Sequence, residues 1–429
     1  MTINHKLVLY KHGKPKNIFP NSAGETGQLR TTPGRILFCV LPYLVFQPDA
    51  PIAGKTVRSF LAFPYGVLTM ASYIRAKATP TPEVRILDLN LYSTEAERAS
   101  ALNQALEDVQ PEIVGFSMSY DISYSHLRKL GHQVKEFDKN IITIMGGAAV
   151  TTAWDEILQE QESIDALCYS EGEQAMCRLV ESADYRAELL KDPWVTRSSL
   201  SMSNSPQAVI LEKLNDVINV DYSLVDIKRY SMKEAFSPFV TYRNEGDVRQ
   251  FFIVTSRGCP FKCVFCAEPS FHGSNMRYAD VDVIIDHVRR LVGNLGMNVL
   301  TIYDDQLLMD QSRAKELFRR LAEFKLRVEM PNGVTLAFID DELAYLMKQA
   351  GVDTIFLAIE SGSDFVLKKI IKKPMRLDKA KGIIESLRRN DIFVQSFFII
   401  GFPGETEEHR QETIKFILET GIDWFFFNF

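Results

Sequence analysis

Cysteine is scarce in this chain, with six residues among 429. So few cysteines do not make a disulfide framework, and a reducing, cytoplasmic setting is expected. The sequence has no run of about 18 apolar residues that could cross a membrane, and its first residues lack the apolar core of a secretory signal. Neither sign of charge dominates, since the net charge is −6. We therefore expect neither a general nucleic-acid binder nor a membrane-surface protein.

The length predicts at least two domains, and 46% hydrophobic residues are enough for sizeable cores. Residues 1–34 are polar and carry glycine and proline, which predicts a weakly structured arm. In residues 35–182, apolar strands alternate with helices. The strands are predicted at 35–42, 84–90, 113–120, 141–147 and 164–170. This alternation predicts a flavodoxin-like, doubly wound parallel sheet with its ligand at the carboxyl ends of the strands.

Residues 183–250 lose this rhythm and are predicted to be a linker. A second alternating series occupies residues 251–429. Its strands are predicted at 252–256, 298–303, 327–333, 354–360, 392–400 and 423–428. This series predicts a partial (β/α)6 barrel with its site at the carboxyl ends of the strands. The sequence stops inside the sixth strand, so we expect a fragment truncated before the last helix and a further domain.

Half of the cysteines lie within one eight-residue stretch that follows the first strand of the second series. Cys259, Cys263 and Cys266 have the spacing C-x3-C-x2-C. Thiolates bind zinc, which in a structural site needs four ligands, and His272 is the candidate for the fourth. Thiolates also bind iron–sulfur clusters, and a cubane held by three of them leaves one iron open for a substrate or cofactor. The spacing is compatible with both kinds of site. The other cysteines are predicted to be small buried hydrophobic residues: Cys39, Cys168 and Cys177.

Several stretches resemble one enzyme family. CPFKCVFC (259–266), with an aromatic residue before its third cysteine, resembles the cluster loop of radical S-adenosylmethionine (SAM) enzymes. IYDDQLL (302–308), LAIESGSDFVLKKI (357–370) and FIIGFPGETEE (398–408) resemble the second, fourth and fifth barrel strands of members with an N-terminal cobalamin domain. FPYGVLTMASYIR, IMGG and YSEGE resemble that cobalamin domain, and DYSLVDIKRY resembles the linker. Over about residues 35–429, the chain is similar to cobalamin-dependent radical SAM enzymes.

The resemblance implies that the three clustered cysteines hold a [4Fe–4S] cluster whose open iron binds SAM and supplies the electron that releases a 5′-deoxyadenosyl radical. It also implies that residues at strand ends contact SAM: Phe265, Asp304, Asp305, Glu360, Ser361, Gly401 and Gly404. The alternative for Asp304 and Asp305 is capping of the next helix. For Glu360 and Ser361 it is an ion pair and a turn, and for the glycines a plain turn.

In the first domain, the resemblance implies that cobalamin lies at the carboxyl ends of the strands. The implied contacts are Ser117, Ser119, Gly146, Gly147, Glu171 and Gly172, followed by Glu173. Ordinary strand-to-helix turns are the alternative for each. Residues 42–64 contain no histidine and so lack the Asp-x-His-x-x-Gly motif of many cobalamin domains. This predicts that no protein nitrogen binds cobalt from below and that Leu44 or Val45 covers the lower face.

The implied activity is methyl transfer to an unactivated carbon or phosphorus atom, through methylcobalamin and the 5′-deoxyadenosyl radical. A non-methylating cyclase, oxidase or rearrangement enzyme is the alternative within the family. An iron–sulfur electron carrier and a zinc-stabilised binding module are alternatives of other classes. We expect a small-molecule or peptide substrate and a flavodoxin or ferredoxin as electron donor, with no nucleic-acid or membrane partner. The lysines of VLKKIIKKP (366–374) are either a docking site for that donor or a solvated helix face.

Overall fold

The computed structural model describes residues 34–43, 63–201, 206–230 and 248–429. Its first unit is a sheet in the order β2-β1-β3-β4-β5-β6. The strands are β1 (Arg35–Val40), β2 (Glu83–Asp88), β3 (Ile113–Ser117), β4 (Ile142–Gly146), β5 (Ala166–Cys168) and β6 (Trp194–Val195). The first five are parallel in the flavodoxin-like order, which confirms the predicted doubly wound fold.

The sixth strand of this sheet was not predicted. β6 pairs antiparallel with the edge strand β5, with Cys168 opposite Trp194. It lies within the interval 183–250, which is predicted to be a linker. A two-residue strand carries no periodic signal, so only the pairing itself reveals it.

The helices of the first unit cover both faces of the sheet. They are α1 (Tyr65–Lys77), α2 (Glu95–Val109), α3 (Tyr124–Phe137), α4 (Ala148–Thr152), α5 (Trp154–Glu160), α6 (Glu173–Glu181) and α7 (Tyr185–Glu188), and α8 (Asn215–Ile218) follows. Along β1, Ile36 and Phe38 lie in one hydrophobic core, and Leu37 and Cys39 lie in the other. Because every side chain from Ile36 to Val40 meets a core, the sequence there is an unbroken apolar run.

The second unit is an open barrel of six parallel strands. Three of them form one sheet and three another, and a bridge between Val334 and Leu357 joins the two sheets. The strands are β7 (Gln250–Ile253), β10 (Val299–Ile302), β11 (Arg327–Glu329), β12 (Thr354–Glu360), β13 (Phe393–Ile399) and β14 (Trp424–Asn428). All six predicted strands are present, which confirms the partial (β/α)6 barrel. A short antiparallel ribbon, β8 (Ser256–Arg257) with β9 (Arg277–Tyr278), interrupts the series after β7.

The barrel helices lie between the strands. They are α9 (Glu268–His272), α10 (Val281–Leu295), α11 (Gln311–Leu321), α12 (Asp341–Gln349), α13 (Ala380–Arg389) and α14 (Glu407–Thr420), with a π-helix at Val366–Ile371. Local signals fix several ends: Asp310 and Asp340 accept hydrogen bonds from the first turns of α11 and α12, and Gly296 ends α10 in the left-handed conformation. No helix among the described residues has the length and apolar character needed to span a membrane.

The two units share one hydrophobic core. At their junction Phe63, which precedes α1, stacks on Phe251 of β7 with ring centroids 5.5 Å apart. Tyr222, from the connecting segment, meets the same Phe251 ring edge-on at 4.9 Å. Tyr65 of α1 accepts the backbone N–H of Val254, 3.1 Å away, just after β7. These contacts bring the carboxyl edge of the first sheet to the barrel.

Candidate functional site

The cluster loop, residues 258–276, is closed at its base by the β8–β9 ribbon. Its first residue, Gly258, has φ +95°, and a Cβ there would lie 2.3 Å from the carbonyl oxygen of Asn275. Only glycine fits this position. The Gly258 N–H donates to Asp305 Oδ2 at 2.9 Å, and the Cys259 N–H donates to the Gly273 carbonyl at 3.2 Å. The backbone around the first cysteine is therefore held by contacts from outside the motif.

The three loop thiols are close enough to influence one another. Burial raises the pKa of Cys259, Cys263 and Cys266, and each thiol is within electrostatic range of at least one of the others. Cys259 is buried, Cys263 is half-buried and Cys266 is exposed. The Val264 N–H donates to the Ile371 carbonyl at 3.1 Å, which fixes the middle of the loop to the π-helix. The loop thus presents three thiols from one short, fixed segment.

A histidine near the cysteine motif contacts two carboxylates. His272 Nδ1 lies 2.6 Å from Glu268 Oε1 and 3.1 Å from Asp305 Oδ2. Burial would lower the pKa of His272, but its hydrogen bonds to Asp305 and Glu268 raise it to about 9. Among the described residues, this is the sole set of three His, Cys, Asp or Glu ligand atoms all within 4.8 Å of one another.

The distances between possible ligand atoms test which metal group the cysteines can hold. A single zinc ion binds thiolates at about 2.3 Å and so needs its sulfurs close together. The three thiols of the loop do not form such a tight set, and His272, the candidate fourth ligand, is engaged by two carboxylates. A wider three-thiolate set fits a [4Fe–4S] cluster with one open iron.

Asp304 is a fully buried anchor between the first two barrel strands. Its carboxylate accepts the Thr255 N–H at 2.5 Å, the Thr255 hydroxyl at 2.5 Å and the Ser256 hydroxyl at 2.7 Å. Burial raises the pKa of Asp304, and these donors oppose the rise. The alternative that Asp304 and Asp305 cap the next helix is wrong, because α11 begins at Gln311 with Asp310 as its cap.

Glu360 ends β12 at a β-bulge, with φ +72°. Such a backbone costs a residue other than glycine about 1–3 kcal/mol and is typical of functional sites. Its Oε1 lies 3.1 Å from Lys373 Nζ, and both side chains are buried. The Lys373 cation also acts on Cys263 and Cys266, lowering the pKa of each thiol against the larger effect of burial. Lys373 is therefore neither solvated nor free for docking, in contrast to what was predicted for the lysines of 366–374.

Ser361, the next predicted contact, is wholly buried. Its hydroxyl oxygen accepts the Ser363 N–H at 3.1 Å and lies 3.2 Å from the hydroxyl of Thr413 in α14. Thr413 Oγ1 also accepts the Gly362 N–H at 3.0 Å. These bonds tie the turn after β12 to α14, so the Ser361 side chain serves the turn that positions Glu360.

The remaining predicted SAM contacts are Phe265 in the cluster loop and two glycines in the turn after β13. Gly401 and Gly404, with φ +94° and +89°, form the turn after β13. A Cβ at Gly401 would have no atom within 4 Å, so this turn borders open space. Phe265, next to the third cysteine, lies with its ring centroid 6.1 Å from that of Phe402 in the turn. The fold thereby brings Phe265 and both glycines together from positions about 140 residues apart.

A cavity of about 580 Å³ opens at the carboxyl edge of the first sheet. All six predicted cobalamin contacts lie in its wall: Ser117, Ser119, Gly146, Gly147, Glu171 and Gly172. Gly147 has φ +124°, and a Cβ there would lie 2.3 Å from the Met118 carbonyl oxygen, so only glycine fits. Small residues at the strand ends leave the space into which a cofactor segment fits. The predicted cover of the cobalt lower face, Leu44 or Val45, lies outside the described residues.

Glu171 and Glu173 stand in this wall but are already paired. Arg277 Nη2 lies 2.7 Å from Glu171 Oε1, and Arg257 Nη2 lies 2.7 Å from Glu173 Oε1. Burial would raise the pKa of Glu171, but Arg277 and Arg257 hold it below its usual range. The carboxylates are therefore paired with the barrel's arginines, and their contact with cobalamin stays a prediction.

Residues of the barrel also line this cavity, and they were not predicted from the sequence. They include Arg257, Glu268, Phe271 and His272 of the cluster loop and its base. No spacing rule connects these residues to the first sheet, so the sequence held no signal for them.

Cys39 and Cys168 are buried as predicted, and Cys177 is half-buried. Burial raises the pKa of Cys168 and of Cys177 to about 12.

Two family matches agree with this arrangement. Residues 54–180 match the B12 binding domain, and residues 253–417 match the Radical SAM superfamily. The chain combines a B12 binding domain with a radical SAM domain. The cofactors that these two domains imply are a [4Fe–4S] cluster with SAM, and cobalamin.

Curated relatives of this radical SAM enzyme include different activities. An uncharacterized methyltransferase of Pyrococcus horikoshii is 25% identical over 90% of this chain and 79% of its own length. The cytidylyl-2-hydroxyethylphosphonate methyltransferase of Streptomyces wedmorensis is 28% identical over 74% of this chain and 64% of its own length. The anaerobic magnesium-protoporphyrin IX monomethyl ester cyclase of Rubrivivax gelatinosus is 24% identical over 89% of this chain and 65% of its own length. The chain thus spans slightly under two thirds of the latter two proteins.

A solved structure shares the two-domain fold. The radical SAM methyltransferase TsrM from Kitasatospora setae, with cobalamin and a [4Fe–4S] cluster bound, matches with a TM-score of 0.69 and 16% identity. The match covers 92% of this chain and 72% of that one. At this identity the likeness concerns the fold.

Proposed function

We propose that this radical SAM enzyme is a methyltransferase that moves a methyl group from SAM, by way of cobalamin, to an unactivated carbon or phosphorus atom of a small molecule. One observation carries the proposal: residues of the cluster loop form part of the wall of the cobalamin cavity. Two cofactors that must act on one substrate need such neighbouring sites. The Pyrococcus and Streptomyces relatives, both named methyltransferases, support the same assignment.

The chain's own residues then have distinct tasks. Cys259, Cys263 and Cys266 would hold the cluster. The Glu360 carboxylate, held in place by Lys373, would accept a hydrogen bond from the SAM amino group. When bound, the cluster, SAM and cobalamin supply the radical and methyl-transfer chemistry, and the protein supplies position and a dry site.

Other predicted residues shape the rest of the SAM site. Phe265 would cover one side of the adenosine, and the open turn at Gly401 and Gly404 would let backbone approach it. Asp304 and Asp305 would act indirectly. The Asp304 carboxylate holds the segment after β7, and the Asp305 carboxylate holds the start of the cluster loop. We therefore assign them positioning roles rather than direct contact with SAM.

The proposal includes an external electron donor of the flavodoxin or ferredoxin class and a cytoplasmic setting. Lys369 lies in the π-helix that contacts the cluster loop and Lys372 directly follows that helix, and both lysines are exposed. Lys368 pairs with Asp364 at 3.0 Å. An acidic donor could meet the cluster side of the barrel there by charge complementarity.

A labelled turnover tests the proposal. The full-length protein, reconstituted without oxygen, is given cobalamin, a low-potential reductant, methyl-deuterated SAM and a panel of candidate small molecules. We expect 5′-deoxyadenosine, S-adenosylhomocysteine and a product that carries the deuterated methyl group. Deoxyadenosine with neither S-adenosylhomocysteine nor labelled product would contradict methyl transfer. That outcome would support the non-methylating alternative, which the Rubrivivax cyclase relative represents.

A further inference from the structure

Four buried charged side chains lie between the two cofactor sites. Glu171 and Glu173 follow β5 of the first sheet, while Arg257 and Arg277 belong to the β8–β9 ribbon at the base of the cluster loop. Each side chain is at most 9% exposed. Two anions and two cations balance, so the group is buried with every charge opposed by another.

The contacts within the group are directional. Arg277 binds Glu171 with both ends of its fork, at 2.7 Å and 2.9 Å. Arg257 donates to Glu173 at 2.7 Å and lies 3.4 Å from Glu171. Leu211, from the connecting segment, donates its N–H to Glu171 Oε2 at 2.7 Å. The planar guanidinium fork sets orientation as well as distance, which an apolar contact would not do.

The group touches both cofactor sites. Arg257 stands directly before Gly258 and two positions before the first cluster cysteine. Arg277 also donates to the carbonyl of His272, at 2.6 Å, on the far side of the cluster loop. On the other side, Glu171 and Glu173 stand in the wall of the cobalamin cavity. A movement of that wall is therefore passed to both ends of the cluster loop.

We propose that Glu171, Glu173, Arg257 and Arg277, which we call the carboxylate–arginine latch, position the cluster loop against the cobalamin cavity and couple the binding of the two cofactors. All four are positioning residues. Filling the cavity fixes the wall, the wall fixes the arginines, and the arginines hold the loop that carries the cluster. Coupling between sites is reciprocal, so the cluster should likewise strengthen cobalamin binding. The proposed function enters only through the identity of the two cofactors.

The test measures how fast the cluster is lost. Anaerobically reconstituted protein is mixed with an iron chelator, with and without hydroxocobalamin, and cluster absorbance is followed. In the parent protein we expect cobalamin to slow iron release about tenfold, a typical coupling between sites. In Glu173→Gln, which keeps the shape but removes the charge, we expect less than about a twofold effect.

A matched control removes a different buried carboxylate. Glu188 is 5% exposed in its side chain and pairs with Arg178 at 3.3 Å and Lys191 at 2.6 Å, and none of the three lines the cavity. Glu188→Gln should keep the full protection by cobalamin. A general loss of stability would affect both variants alike, so the difference between them reports the latch.

A second readout is the distance between the cofactors. Pulsed EPR of protein holding Co(II) cobalamin and the reduced cluster should give a broader distance distribution in Glu173→Gln than in the parent. Arg257→Lys keeps the charge but loses the fork, so we expect intermediate protection and broadening. If Glu173→Gln does not retain its cluster, the protection by cobalamin measured in Arg257→Lys and in the parent tests the latch instead.

The outcomes separate this inference from the proposed function. Equal protection by cobalamin in the parent and in both latch variants would overturn the latch, and so would absence of protection in the parent. Failure of the parent to take up the cluster or cobalamin would overturn the proposed function instead. Protection that disappears in the latch variants and persists in Glu188→Gln supports the inference.

Discussion

At the carboxyl edge of the first sheet, the strands end in small residues such as Ser117, Gly146 and Gly147, and a cavity lies beyond them. At the carboxyl edge of the barrel, Asp304 and Asp305 follow β10, and Glu360 ends β12. Their carboxylates are engaged by neighbouring donors or cations. Both edges occupy the place where parallel α/β folds bind ligands.

Under the proposed function, the two edges receive their cofactors by different means. A bulky cofactor needs space, which glycine provides by placing backbone where side chains would otherwise stand. A small reactive centre needs polar atoms held in fixed positions by a second layer of contacts. We expect substitutions at the first edge to act by filling space and substitutions at the second to act by releasing fixed charges.

The largest effect should come from the cluster ligands. Replacing Cys259, Cys263 and Cys266 together by Ala removes every thiolate of the loop, so we expect complete loss of cluster iron after anaerobic reconstitution. Iron and sulfide analysis with visible absorption measures this. Cys177→Ala is the control, because Cys177 lies in α6 and should leave the cluster intact. Stoichiometric zinc without iron in anaerobically purified protein would contradict the cluster assignment.

The next effect concerns the space-filling edge. Gly147→Val places a side chain at φ +124° against the Met118 carbonyl. We expect cobalamin affinity, measured by absorption titration, to fall about 10- to 100-fold. The matched control is Gly293→Ala in α10, where a Cβ would meet no atom within 4 Å. That change should leave cobalamin affinity unchanged and raise the free energy of unfolding by about 0.4–1 kcal/mol. Unchanged affinity in Gly147→Val would show that this edge does not receive cobalamin.

At the fixed-charge edge, the expected effect is on stability rather than on cofactor affinity. Lys373→Met leaves the buried Glu360 carboxylate without its cation, so the free energy of unfolding should fall by about 3 kcal/mol. The double variant Glu360→Gln with Lys373→Met removes both charges and should recover part of that loss. Denaturant unfolding of the parent, of the single variants Lys373→Met and Glu360→Gln, and of the double variant measures the coupling. Additive losses would mean that the pair does not interact.

The smallest effect is a pH dependence at the loop's histidine. The pKa of His272 is about 9 in the folded protein, above its ordinary 6.5. Its contribution to stability is therefore complete below about pH 6.5 and is lost as pH rises through about 9. Urea unfolding of cluster-free protein should show a decrease of about 1–3 kcal/mol over that range, which His272→Gln abolishes.

The control for this titration is the buried histidine of α10. Burial and the nearby Arg290 lower the pKa of His287 to about 4. Its titration therefore weakens the fold as pH falls below about 6.5, and His287→Gln should leave the alkaline decrease unchanged. An alkaline decrease of equal size in His272→Gln would contradict the role assigned to His272.

Much of the fold could be predicted because its signals are local. Buried parallel strands are unbroken apolar runs, and the helices between them carry capping residues and helical spacing. The cluster loop was equally visible, since its three cysteines lie within eight residues. The β8–β9 ribbon and β6 were missed, because two-residue strands exist only through their partners.

The sequence alone determined which chemistry the chain can perform. Thiolates at C-x3-C-x2-C spacing after a barrel strand, and glycines and serines at the ends of earlier strands, are short-range patterns that resemble those of cobalamin-dependent radical SAM enzymes. That resemblance, rather than the spacing alone, implies both cofactors. Only the tertiary structure decided how these parts work together. It joined Glu171 and Glu173 to Arg257 and Arg277, and Glu360 to Lys373. Charged pairs of this kind depend on burial and on the meeting of distant segments, and neither is encoded in local spacing.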